Sequence, residues 1–168
     1  MVKQSRANDP MMLPYFEKML LESDDVLFLH AACHVFALAL RDSFGYPLRM
    51  VRDTTAALPN GATHVFCGYD ESRGVDVCGL FEVRQFLHDE GWHPLRYTTE
   101  SVSNPNLQPY CTCTFGGGLY IESSFVTLAR SRADKRIAEF HDYYSGHHTQ
   151  PVPGLKRVQK VPFQSIFN

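Results

Sequence analysis

The sequence predicts a single α+β domain in which a central, cysteine-headed helix packs on an antiparallel sheet, with a further helix towards the C-terminus. Three observations predict it. The run VLFLHAACHVFALALRDSF (26–44) is apolar nearly all round and stops at Gly45, with Pro47 two residues on, as a buried helix should. The segments LRMVRD, THVFCGY and VDVCGLF follow as three short strands, separated by turn-rich text such as DESRG, and read as a meander. SSFVTLARSRADKRIAEFHDYY places apolar residues at 125, 129, 133, 137, 140 and 144, the spacing of one helix face, with Ser123 or Ser124 as its cap.

The remaining elements fill in around these. Residues 1–10 are polar and end in Asn8-Asp9-Pro10, a loose arm, and MMLPYFEKMLLES reads as a short helix. Ser23-Asp24-Asp25 supplies capping side chains, so the central helix is expected to start between Asp25 and Ala32. TTAALPNGA is a loop, and FEVRQFLHDEGW is a short helix with apolar positions at 83, 86 and 87 and Gly91 to end it. Residues 94–122 read as irregular with some strand, and the Pro-punctuated tail PVPGLKRVQKVPFQSIFN as extended over the surface. One domain, 1–168, is expected, with 26–92 as its core and 93–168 as an unassigned elaboration.

Composition narrows the functional classes. A net charge of −2 and a pI near 6.4 leave no basic field for nucleic acid or an anionic membrane. No apolar run approaches the roughly 18 residues that span a bilayer, and the N-terminus has no apolar stretch of signal-peptide length, so a soluble, cytoplasmic chain is expected. Five cysteines, an odd number, argue for reduced thiols over a disulfide framework.

Nucleophilic cysteine catalysis needs a thiolate, a base within reach and a group that orients the base. Cys33 stands near the start of the central helix, where unpaired N–H groups and the macrodipole favour a thiolate. His64 heads HVFCGY, where the strand period sends His64 and Phe66 to one face and Val65, Cys67 and Tyr69 to the other. If DESRG closes a hairpin, Asp76 comes within direct or diagonal reach of His64, and Cys78 shares its face. His34 points about 100° from Cys33 on a helix and is at most a substrate contact, while Cys67 is core filler. Cys111-Thr112-Cys113 and His147-His148 have poor spacing for zinc, and Gly116-Gly117-Gly118 lacks a phosphate-loop context, so neither a metal nor an organic cofactor is expected. Arg130, Arg132, Lys135 and Arg136 among Asp134, Glu139 and Asp142 read as a solvated helix face.

CHVFALALRDSFGYPLRMVRD, then HVFCGYD, then VDVCG, in that order and spacing, resembles the transglutaminase-like branch of the papain-like cysteine enzymes. It is similar also to small phage and bacterial proteins of uncertain activity that carry C-H-x-F-A-x-A-L, H-V and D-x-x-G before a short helix and a Trp, here FEVRQFLHDEGW. The resemblance covers residues 26–92 and implies a papain-like core with Cys33 as nucleophile, His64 as base and Asp76 as the acid that orients it. Val65 follows His64 where an aromatic is usual in the family, and no Gln precedes Cys33, which leaves His30 and the Cys33 N–H as the nearest oxyanion donors.

An enzyme is therefore the leading expectation, with a binding protein as the alternative. The first is a cysteine-dependent acyl transfer through a thioester, peptidase, amidase, deamidase or transglutaminase in kind, on a protein or peptide substrate contacted by His30, His34, Phe66 and Cys78. The second is a non-catalytic protein-binding modulator on the same core, with its interface in the C-terminal half, where Tyr143, Tyr144, Phe163 and Phe167 either meet a partner or pack back onto the domain.

Overall fold

A computed structural model describes residues 18–55, 62–103 and 124–146. Residues 18–21 are helical, and α1 (Asp24–His30) and α2 (Cys33–Phe44) follow. The strands are β1 (Leu48–Asp53), β2 (Ala62–Gly68), β3 (Arg73–Asp76), β4 (Gly79–Glu82) and β5 (Tyr97–Ser101), with α3 (Val83–Asp89) between the last two. The chain continues with α4 (Ser124–Glu139) and α5 (His141–Tyr144).

The apolar run 26–44 forms two helices, not the single one expected. α1 and α2 meet at 102°. At the break Ala31 and Ala32 both donate to the Leu27 carbonyl, which closes α1, and Ala32 then caps α2 without a side-chain bond. A run apolar all round gives no phase from which a bend can be read, and the bend lets each half find cover. The far end follows expectation, since Gly45 adopts φ 75° and its N–H closes on the Arg41 carbonyl at 2.7 Å, a left-handed stop that any side chain would strain.

The five strands form one antiparallel sheet in the order β4-β3-β2-β1-β5. VDVCGLF, expected as one strand, supplies the end of β3 and the start of β4, with Val77-Cys78 as a tight turn and Gly79 at φ 90°. β5 falls in the region read as irregular with some strand. On β2, His64 pairs with Val51 and Ala62 with Arg52, so Thr63 is an extra residue, a bulge directly beside His64.

The period of two sorts the sheet into unequal faces. Leu48, Met50, Val65, Cys67, Val75 and Val77 join the large core under α1, α2 and α4. Val51 and Phe66 face the other way and form a small second core with Val83 and Phe86 of α3. α4 breaks at Phe140, yet its apolar stripe behaves as spaced, with Phe125, Ala129, Ala133 and Ile137 buried in the large core. Tyr144 is fully buried, stacks edge-on with Phe36 at 5.4 Å and donates to the Val77 carbonyl at 2.7 Å. Of the aromatics weighed as interface, Tyr144 thus packs back onto the domain, and Phe163 and Phe167 lie outside the described residues.

The basic side of α4 is not simply a solvated face. Arg130 reaches Asp42 on α2 at 3.0 Å as well as Asp134, and Arg132 grips Asp24 together with the Leu20 and Glu22 carbonyls. Burial alone would raise the Asp42 carboxyl, but Arg41 and Arg130 outweigh it and hold it below its ordinary value. These contacts tie α4 to the N-terminal helices.

Candidate functional site

The β2–β3 hairpin sets the geometry of the site. Cys67 pairs with Val75 and Gly68 with Gly74, so Asp76 stands diagonally across from His64 on the same face. Nε2 of His64 lies 3.1 Å from Oδ2 of Asp76, with side-chain exposures of 0% and 5%. A carboxylate only accepts, so the shared proton belongs on Nε2. Asp76 is itself held: its Oδ1 accepts the Cys78 N–H at 2.9 Å. The imidazole lies between Phe66 and Phe86, at 6.1 and 5.3 Å between ring centroids. Its Nδ1 is buried without a hydrogen-bond partner.

Cys33 is the first residue of α2, as expected, half-buried and packed against the large core. That core lies on the opposite side of the sheet from His64. Cys67, the residue after Phe66 and so on the opposite face, shows the separation directly, because its thiol donates to the Ala37 carbonyl of α2 at 3.1 Å while His64 meets Phe86 of α3. The structure therefore brings His64 and Asp76 together and leaves Cys33 across the sheet from them. The reason is the strand period: with Val65, Cys67, Val75 and Val77 beneath α2, the alternate residues His64 and Asp76 must point away from it.

The other expected contacts divide in the same way. Phe66 is fully buried on the His64 face and walls the imidazole. Cys78 does not share the Asp76 face as expected; it lies in the β3–β4 turn and belongs to the large core. His30 ends α1 half-buried, and His34 is buried in the first turn of α2 with no partner for its Nε2. Cys67 is the inert filler expected, its thiol pushed up to about 12 by burial.

Among the described residues no group of three or more His, Cys, Asp or Glu side chains is placed to hold a metal ion, and no single helix is long and apolar enough to cross a membrane. Cys111, Cys113, His147 and His148 lie outside the described residues, as do Gly116, Gly117 and Gly118.

Arg136, expected on a solvated helix face, is instead half-buried. Its side chain stacks on Phe140 at 4.3 Å and has its Nε and Nη2 buried with no hydrogen-bond partner. Local charge patterning on α4 gave no signal for it, since Asp134 and Glu139 sit close by in sequence and pair instead with Arg130 and Lys135.

Comparison of the chain with known protein families, curated proteins and solved structures finds no significant match, so the functional reading rests on the residues and their geometry.

Proposed function

We propose that the chain is a non-catalytic protein-binding module, in which His64 and Asp76 form an internal clasp between β2 and the β3–β4 turn. The observation that carries this reading is the burial of the imidazole on the sheet face opposite α2. A base must come within about 3 Å of the thiol proton or reach it through one water, and a sheet stands between His64 and Cys33. A buried polar pair of this kind fixes register: a one-residue slip of β3 would turn Asp76 to the α2 side and strand the imidazole. Leu128 on α4, 52% exposed, and Leu21, 87% exposed, are apolar side chains that a protein partner could cover.

One observation favours a second reading, the cysteine-dependent acyl transfer. His64 uses only Nε2 to hold Asp76 and keeps Nδ1 unpaired, the state of an oriented base awaiting a proton. In that reaction the Cys33 thiol passes its proton to His64 and adds to an amide carbonyl. The amine then leaves with the proton, and water or a second amine resolves the thioester. The reading requires His64 and Cys33 to reach a common face.

Alkylation of the full chain with iodoacetamide at mildly acidic pH, read by mass spectrometry for each cysteine, separates the two. The binding reading expects Cys33 to follow the ordinary pH dependence of a half-buried thiol, unchanged by His64→Gln. A Cys33 that outpaces the other thiols at pH 5–6, and slows more than about tenfold in His64→Gln, would overturn the binding reading and establish the thiol pair.

A further inference from the structure

We infer that β5 is a docking edge for a second copy of this chain, the two strands pairing antiparallel about a two-fold axis at Thr99. This inference stands apart from the reading of His64, Asp76 and Cys33. β5 ends the sheet and pairs with β1 on one side only. Just beyond it, the Thr54 N–H donates to the Arg96 carbonyl at 2.8 Å and the Val102 N–H to the Leu48 carbonyl at 2.9 Å. Both bonds lie in the register that sets Arg52 against Thr98 and Met50 against Glu100, so Thr98 and Glu100 turn their backbone groups towards β1. The alternate residues Tyr97, Thr99 and Ser101 must then turn theirs outward. The Tyr97 N–H is taken by the His93 carbonyl at 3.0 Å. The backbone N–H and C=O groups of Thr99 and Ser101 meet no partner among the described residues.

The two edges of the sheet differ. β4 has four residues, runs directly into α3 and has α5 beside it. β5 is exposed or half-buried along its length, carries neither Pro nor Lys, and has its one charge, Glu100, bound to Arg52 of β1 at 3.3 Å. The usual means of blunting a free edge are missing from it. Its pattern is also self-complementary. With the axis at Thr99, each Thr99 donates to and accepts from its mate. Ser101 donates to the Tyr97 carbonyl of the second copy, and Tyr97, whose N–H is spent, need only accept. Thr98 stands opposite Glu100 of the second copy with Arg52 behind it, so each carboxylate faces a cation and no like charges meet. An axis at Glu100 would set two carboxylates against each other, and one at Thr98 would put Ser101 opposite Leu95, outside the strand. At the Thr99 axis Leu95, 87% exposed, adds an apolar side chain at the margin of the contact.

Analytical ultracentrifugation of the full chain over a concentration series is expected to show the mass rise from 19.1 kDa towards twice that value. Over the same series, amide exchange of Thr99 and Ser101 is expected to slow by more than about tenfold as the dimer forms, while Thr98 and Glu100, already bonded to β1, change little. This measurement needs no variant, so it decides even where a substitution unfolds the chain. Thr99→Lys and Thr99→Glu each set like charges across the axis and are expected to raise the dimer Kd at least about fivefold, and mixing the two variants is expected to restore the dimer. The inference is overturned if the chain stays at 19.1 kDa throughout, or if a dimer forms without protecting Thr99 and Ser101. Amides of Thr99 and Ser101 that are already slow in the monomer would show the edge covered by the chain itself and overturn it equally. A dimer that neither charge variant weakens, or that the mixture fails to restore, would overturn the Thr99 axis.

Discussion

Replacing Asp76 with alanine removes the acceptor used by two buried donors at once, the His64 Nε2–H at 3.1 Å and the Cys78 N–H at 2.9 Å. Each buried donor deprived of its partner costs about 1–3 kcal/mol, so Asp76→Ala should destabilise the fold by about 2–6 kcal/mol. Against a typical total of about 5–15 kcal/mol that is a large fraction. Asp76→Asn keeps an oxygen for the Cys78 N–H and can hold His64 only by donating to an Nε2 that has given up its proton to Nδ1, so it should lose less than Asp76→Ala. Urea unfolding followed by tryptophan fluorescence and by circular dichroism gives both numbers, and Trp92 reports from the α3 side of the sheet. In a His64→Gln background the cost of Asp76→Ala should shrink, because the two residues share one interaction. A loss below about 1 kcal/mol for Asp76→Ala, the range of a surface carboxylate, would refute the buried clasp.

Other consequences are as specific. Gly74→Ala would put a Cβ 2.6 Å from the Phe66 and Phe81 rings, and should cost about 1–3 kcal/mol of overpacking in the same unfolding assay. Arg132→Met removes the bonds to Asp24 and to the Leu20 and Glu22 carbonyls, so amide exchange in residues 18–30 should quicken while that of β1 and β2 is unchanged. Arg96, with help from Thr55, holds the Asp53 carboxyl well below its ordinary value. Its contribution is therefore complete above the ordinary carboxyl range near pH 4 and is lost as pH falls further, so a pH series of unfolding midpoints should be flatter at its acid end in Asp53→Asn.

Much of the fold can be read from the residues, for local reasons. Gly45 stops α2 because a left-handed stop follows an apolar helix, and Gly91 does the same near α3 at φ 69°. The DESRG turn and the strand period together put His64 and Asp76 on one face, and that pairing forms. The position of Cys33 relative to them depends on which face α2 covers. The signal was present: Val65, Cys67, Val75 and Val77 are the more apolar set, and an almost wholly apolar helix covers that set and leaves the polar one to α3. The bend at Ala31-Ala32 and the long-range clamps of Arg130 and Arg132 have no local signature. Their partners Asp42 and Asp24 lie 88 and 108 residues away in the chain. The short turn at Val77-Cys78 was hidden because an apolar pair within a strand-like run looks continuous until Gly79 is seen at positive φ.

The central claim is that a sheet separates His64 from Cys33, and proton NMR of the full chain tests it most directly. Nuclear Overhauser contacts from the His64 ring protons should reach the Phe86 and Phe66 rings, and contacts from the Cys33 β-protons should run into the large core on the α2 side. A direct cross-peak between the Cys33 β-protons and the His64 ring would contradict the account and place nucleophile and base on one face.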